Sequence, residues 1–247
     1  MDELDNICNN STRNIALSIF HFNIRSLNKN SSELFQFIQS INHDFDILVL
    51  SEIWTYNIQL YCNLFAGYTF YYDLPLSGSV GGIGIYVKNN LTQIQLDKLK
   101  IKSTSDNRIE NIWLEICKGK QKYLIDGMYR HPRQDITKFS ETMETNIAEL
   151  RKTKLPCFID INIDLTKYSI HSATSNYLEN LLLYNAIPTV VMPTRITDHS
   201  ATIIDHIYFL PGINTNPQMT IQSGNLWCDI TDHLPNFCLL RNDNNTI

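Results

Sequence analysis

The sequence predicts a single mixed α/β domain in which two packed β-sheets are flanked by helices. Three observations carry this. Apolar, strand-length runs recur along nearly the whole chain; a few segments with helical spacing lie between them; and no repeat, low-complexity tract or Pro/Gly-rich linker divides the 247 residues. With 43% hydrophobic and 18% charged residues, the composition is that of a folded globular chain long enough to bury a substantial core. The expected boundaries are a polar N-terminal tail over 1–14, one domain over 15–241 and a short C-terminal tail over 242–247.

In chain order, IALSIFHFN (Ile15–Asn23) alternates into a polar end and reads as a strand. Leu34, Phe35, Ile38 and Ile41 keep helical spacing, and Asn30 with Glu33 resembles a capping box. DILVLSE (Asp46–Glu52) is a continuous apolar run ending in a carboxylate, as in a strand buried on both faces. GGIGIYVK (Gly81–Lys88), NIWLEI (Asn111–Ile116) and KYLIDGMYR (Lys122–Arg130) also read as strands. Lys98, Lys100 and Lys102 alternate with apolar residues, as on an edge strand protected from aggregation. Phe139, Met143, Ile147 and Leu150 mark a second helix, whose RKTK end (Arg151–Lys154) suits a helix C-terminus. CFIDINIDL (Cys157–Leu165) alternates strictly, with Ile159, Ile161 and Ile163 on one side and Asp160, Asn162 and Asp164 on the other. Tyr177, Leu178, Leu181 and Leu182 mark a third helix; TIIDHIYFL (Thr202–Leu210) and the stretch after DITDHLP complete the strands.

The formal net charge of −5 argues against broad, non-specific coating of nucleic acid but is compatible with an acidic metal centre and local basic patches. The six cysteines form no C-x-x-C pair, which argues against a zinc knuckle or a thioredoxin-type site and fits a reducing, intracellular compartment. The acidic, polar start MDELDNICNN is unlike a signal or transit peptide, and no apolar run reaches membrane-spanning length.

Polar residues fall repeatedly at strand ends: Asn23 after HF, Glu52 after LVLS, Tyr129 and Arg130 after DGM, Asp160 and Asn162 in FIDIN, and Asp232 and His233 before the last strand. Singly, each reads as a solvated turn residue. Asp205 is different. It lies among Ile203, Ile204 and Ile207, where an unpaired carboxylate is costly, so it requires a partner, and histidine is the best kind. As a set these residues suit phosphodiester hydrolysis. Glu52 supplies oxygen to a hard divalent cation; Asp160 orients or deprotonates a water; Asn162 fixes that water or the phosphate; His233, held by Asp205, donates to a phosphoryl oxygen.

The stretches NIRSL, SEIW, GGIGIYV, MYRHP, DIN, PTRIT, SATIIDHI and TDHLP, in that order over about residues 15 to 241, resemble the endonuclease domain of non-LTR (LINE-type) retrotransposons, within the exonuclease–endonuclease–phosphatase superfamily. The resemblance implies a DNase I-like, four-layer α/β sandwich. It also implies Mg²⁺-dependent nicking (Mn²⁺ as the alternative) that leaves a 3′-hydroxyl to prime reverse transcription. It places Glu52 and Asn23, with Asp232, at the metal corner, Tyr129 at the scissile phosphate, Asp160 and Asn162 at the nucleophile, and Asp205 behind His233. Thr194 is implied near the phosphate, and Arg130 and Arg195 are candidate substrate contacts. The implied partners are DNA and a reverse-transcriptase segment of the same polyprotein, with a nuclear location and no membrane. One departure stands out: the family usually carries Gly before the first acid of D-x-N, where this chain has Ile159.

Gly81, Gly82 and Gly84 read as a hairpin or close packing rather than a phosphate cradle, and His131, His171, His199 and His206 as solvated or structural. The rival functions are another activity of the same superfamily (on abasic DNA, RNA, phosphoinositide or lipid phosphodiester) and a catalytically silent binding module.

Overall fold

The computed structural model of the protein describes residues 15–75, 80–104, 107–213, 215 and 218–242; the N-terminal tail and nearly all of the C-terminal tail lie outside them. The elements run β1 (Ile15–Asn23), α1 (Leu27–Ser40), β2 (Ile47–Ser51), β3 (Tyr68–Asp73), β4 (Ile83–Lys88), β5 (Thr92–Gln95), β6 (Ile109–Lys118), β7 (Gln121–Arg130), α2 (Ile136–Thr153), β8 (Cys157–Asn162), α3 (Ser172–Leu183), β9 (Ile187–Pro188), β10 (Arg195–Thr197), β11 (Ser200–Thr202), β12 (Asp205–Leu210), β13 (Met219–Asn225) and β14 (Asn236–Asn242). One six-stranded sheet has the order β13-β14-β1-β2-β4-β3 and the other β5-β6-β7-β8-β12-β9. Both are mixed: β1–β2 and β7–β8 are parallel, while β1–β14 and β8–β12 are antiparallel.

Strand alternation sorts the side chains into three apolar layers. Between the sheets pack Ile19, Val49, Ile85, Leu114, Ile125, Phe158 and Ile207. Outside the first sheet, Phe20, Phe22, Leu48 and Leu50 pack against Leu27 and Leu34 of α1. Outside the second, Leu124, Met128, Ile159, Ile161 and Tyr208 pack against Phe139, Met143 and Ile147 of α2 and Tyr177 of α3. The result is the expected four-layer sandwich, helix–sheet–sheet–helix. Ile159 is fully buried in the layer under the helices, on the face of β8 opposite Asp160, so its bulk is absorbed by the outer core rather than by the polar side.

Two local expectations are corrected. Asn30 is no cap: it is buried within α1, and its Nδ2 donates to the Ile24 carbonyl at 2.8 Å. The helix begins after Ser26, at φ 104°, with no side-chain cap; the backbone N–H groups of Ser26 and Leu27 instead donate to the carbonyls of Glu52 and Ile53, both at 2.9 Å. Likewise Lys98, Lys100 and Lys102 do not share a strand. Asp97–Leu99 is a 3₁₀ turn, and the Lys100 ammonium leaves it to meet Asp73 at 2.7 Å. The helix ends read as expected where the chemistry is local: Arg151 and Lys152 occupy the last turn of α2, while Asp135 caps its start by accepting from the N–H groups of Thr137 and Lys138. Asp164, following β8, caps a 3₁₀ turn by accepting from the Thr166 N–H at 3.1 Å.

Candidate active site

At one end of the sandwich the layer between the sheets turns polar. On β1 the inward positions run Leu17, Ile19, then His21 and Asn23; on β8 they run Phe158, then Asp160 and Asn162; on β12 Asp205 precedes Ile207. Strand order therefore sets these groups in a row. His233, just before β14, faces Asp205; His21 of β1 faces Asp160; Glu52, after β2, faces Tyr129 of β7; and Gly81, before β4, faces Glu110 of β6. The row borders a cleft of ≈ 690 Å³, walled among others by Asn23, Glu52, Tyr129, His131, Asn162, Asp205 and His233.

Asp205 finds its histidine: Oδ2 lies 2.6 Å from His233 Nδ1, both groups buried. Burial alone would raise the Asp205 carboxyl, but the contact with His233 outweighs it and holds the group below the usual carboxylate range. Thr194, fully buried, accepts the N–H groups of Ile204 (3.1 Å) and Asp205 (2.9 Å) at its Oγ1. It therefore braces Asp205, and it is not among the residues that wall the cleft.

Asp160 is 4% exposed, and its Oδ2 lies 3.0 Å from His21 Nε2, which is also 3.1 Å from Ser51 Oγ. Burial raises the Asp160 carboxyl and His21 only partly offsets this; for His21 itself, burial is outweighed by Asp160, so the imidazole is held above its ordinary value. Asn162 is committed to the end of β7: its Oδ1 accepts the Arg130 N–H at 3.2 Å and its Nδ2 donates to the Arg130 carbonyl at 3.0 Å. One amide hydrogen remains to face the cleft.

Glu52 sits at φ 56°, between Arg25 (46°) and Trp54 (44°), which also lie in the left-handed region and also wall the cleft. Such conformations cost roughly 1–3 kcal/mol each and persist only when the surroundings fix them; here the N–H groups of Ile53 and Trp54 donate to the carbonyls of Gly82 and Gly81. Asn23 Nδ2 donates to Glu52 Oε1 at 2.9 Å, while Asn23 Oδ1 is buried with no hydrogen-bond partner. A carboxylate beside an unsatisfied amide oxygen is a hard, all-oxygen donor set, which fits Mg²⁺. Among the described residues no cluster of three or more His, Cys, Asp or Glu forms a ready cation cage, so any such ion would rely on water and substrate for its remaining ligands. Tyr129 is buried and bonded to Glu52; burial first, then Glu52 and Glu110, push its hydroxyl far above the usual range, so it remains a neutral donor.

Two residues take up different work from that expected. Asp232 is gripped by Arg25 Nη1 at Oδ1 and by Arg195 Nε at Oδ2 (2.8 Å), so both oxygens are committed to guanidinium groups rather than to a metal corner. Although burial opposes it, the Arg195 and Arg25 bonds depress its carboxyl to about 2. Arg130 is 6% exposed and stays out of the cleft: Nη1 donates to the carbonyls of His131 (3.1 Å) and Gln134 (2.8 Å), and the guanidinium lies over the Phe139 ring. Arg195 does wall the cleft, alongside Arg25, Arg108 and Arg133, which sequence reasoning missed with His21 and Glu110. For His21 a signal existed. His21 interrupts the apolar run of β1, the same sign that marked Asp205 as needing a partner; Glu110 falls just before the strand expected from Asn111, next to another polar residue, and only the two-strand register of β6 and β7 brings it to the site.

The fold recurs in solved structures. The endonuclease domain of TRAS1, a telomere-specific non-LTR retrotransposon, superposes with a TM-score of 0.68 at 14% identity, covering 92% of this chain and 98% of that one. TDP2 from D. rerio, complexed with a single-strand DNA product, gives 0.68 at 11% identity over 91% and 98% of the two chains. A mannosyl-6-phosphatase from Bacteroides thetaiotaomicron gives 0.60 at 12% identity over 91% and 99%. Among curated protein sequences, none matches the chain. The sequence pattern of the Endonuclease/Exonuclease/phosphatase family matches residues 20–210, a span holding all the strand-end residues above except those of the Asp232–His233 turn, and the chain belongs to that family.

Proposed function

We propose that the protein is a divalent-metal-dependent DNA endonuclease that nicks one strand, leaving the 3′-hydroxyl that primes reverse transcription of a retrotransposon. The observation that carries the reading is that Asn23–Glu52 and Asp205–His233 wall a single cleft, with the buried His21–Asp160 pair on the same strand ends next to them. When bound at Glu52 and Asn23, Mg²⁺ supplies charge neutralisation for the phosphoryl group.

The chain's own residues do the rest. Asp160, with its carboxyl raised by burial, orients the attacking water and accepts its proton. Asn162 fixes the end of β7 beside it. His233, its Nδ1 bound to Asp205, leaves Nε2 to donate to a phosphoryl oxygen as charge develops. Tyr129, whose single hydroxyl hydrogen is held by Glu52 in the free protein, turns that donor to the phosphate when substrate enters from the Glu52 side. Arg108 and Arg133, together with Arg25 and Arg195, which share Asp232, add positive charge to the cleft wall in a chain of net charge −5, which favours a phosphate backbone there.

The test is incubation with supercoiled plasmid and Mg²⁺, followed by extension of the nicked ends with a DNA polymerase. The expected result is open-circular product, abolished by EDTA, whose ends extend without further processing. Nicking indifferent to EDTA contradicts the mechanism. A strong preference for an abasic duplex, an RNA or a sugar phosphate in a parallel substrate panel contradicts the substrate class.

A further inference from the structure

Two lysine-rich stretches of the sequence, KGKQK (Lys118–Lys122) and RKTK (Arg151–Lys154), meet at the pole of the sandwich away from the cleft. The first forms the turn between β6 and β7, where Gly119 at φ 62° leaves Lys120 at the tip. The second ends α2. Parallel pairing of β7 with β8 joins them: Leu124 is in register with Cys157, and its N–H donates to the Pro156 carbonyl at 2.9 Å. Lys122 precedes Tyr129 by seven positions on β7, so this pole is roughly 23 Å from the strand-end row at about 3.3 Å per residue.

A concavity of ≈ 270 Å³ opens between the two stretches. Lys120, Lys122 and Lys154 stand around it, over an apolar floor that includes Tyr123 and Met219. Thr215 adds a hydroxyl whose Oγ1 is buried with no hydrogen-bond partner among the described residues. The ammonium groups are not equally free. Lys122 is paired with Glu115 at 2.7 Å, and nearby Lys118 is paired with Asp46 at 2.7 Å and Lys152 with Glu149. Lys120 and Lys154 are exposed and have no ion pair among the described residues; Arg151, also exposed and without one, lies over the Tyr184 ring. Lys154 holds its place against backbone preference. It follows α2 at φ 63°, a left-handed position where glycine or asparagine is usual. Gly212 packs so closely on the same bend that a Cβ there would lie 2.6 Å from the Leu155 carbonyl carbon and the Pro156 nitrogen, which fixes the bend and the lysine on it.

We propose that this pole is a second phosphate-binding site, taking the backbone of a single nucleic-acid strand. Two unpaired ammonium groups and an unsatisfied hydroxyl line one concavity, and a phosphate carries enough acceptor oxygens to take all three. Arg151, three residues before Lys154 and about 4.5 Å back along the helix axis, serves the next phosphate of a strand. The apolar floor takes sugar or base edges. Because the cleft is remote, the stretch held here is not the one being cleaved. The site goes beyond the nicking reading and does not depend on it.

A fluorescein-labelled oligothymidylate, in EDTA so that no cleavage occurs, is followed by anisotropy over a range of salt concentrations for the parent and for the double variant Lys120→Gln, Lys154→Gly. Loss of two phosphate contacts should lower the slope of log affinity against log salt by about 1.4 and weaken binding on the order of 10-fold at low salt. The melting temperature should not fall, because glycine relieves the left-handed bend, so weaker binding cannot be put down to unfolding. Plasmid nicking should stay within a few-fold of the parent. Unchanged affinity and slope overturn the site. If polyglutamate competes for the parent as well as unlabelled oligothymidylate does at equal charge, the surface takes polyanions in general and the nucleic-acid assignment is overturned. If the parent nicks no plasmid while the slope still falls in the variant, the nicking reading fails and the phosphate site stands.

Discussion

Two carboxylates on neighbouring strands of one sheet have opposite fates. Asp160 of β8 points between the sheets and Asp126 of β7 points under the helices; they are 4% and 2% exposed. Burial raises both carboxyls, Asp126 the more strongly; Asp160 adds to the rise at Asp126, and Asp205 to that at Asp160. Asp160 has His21 at 3.0 Å, whereas neither oxygen of Asp126 has a hydrogen-bond partner among the described residues. A buried acid without a partner is stored as a neutral group; one with a histidine keeps access to its charged form. Depth does not distinguish the two acids. The partner does.

Removing that partner should give the largest effect on folding. His21→Leu leaves Asp160 as isolated as Asp126, and the loss of one member of a buried pair costs about 3–5 kcal/mol; urea unfolding near neutral pH measures it. A smaller change of opposite sign is expected from Asp126→Asn. Because the native carboxyl is raised above its unfolded value, the native state's advantage is full below about pH 4 and is lost as pH rises toward that elevated value. The substitution should therefore raise the melting temperature near pH 7 and leave it little changed at pH 3. If the parent and Asp126→Asn show parallel profiles, Asp126 is not stored neutral. The smallest effect belongs to Ile159, on the helix face beside Asp126. Ile159→Val should cost about 0.5–1.5 kcal/mol with the nicking rate per folded molecule unchanged. A changed rate would show that the residue in the usual glycine position reaches the site after all.

The same contrast explains what could be read from the sequence. The alternation of CFIDIN announced a polar face on β8, and the apolar neighbours of Asp205 announced a partner, because both signals are local. The layers followed from strand-length runs separated by helical spacing. What stayed hidden depends on distant meetings. Asp232 lies 207 residues from Arg25, and nothing near either residue announces their contact. Arg130 looked like a substrate contact because it follows Tyr129, yet alternation turns it to the helix side, where carbonyls and Phe139 hold it. The β10–β11 hairpin has strands of three residues, too short for periodicity to register. Asn30 was misread because the start of α1 is fixed by backbone bonds to the Glu52–Ile53 segment rather than by a side chain.

The central claim is that the strand-end row, with Asp160 at its centre, performs hydrolysis. Plasmid nicking in Mg²⁺ by Asp160→Asn and Asp126→Asn, each normalised to folded protein, tests it most directly. The account predicts a loss of roughly 10²–10⁴-fold for Asp160→Asn, as expected when a general base is removed, and a rate within a few-fold of the parent for Asp126→Asn. Equal rates for the two variants would contradict it.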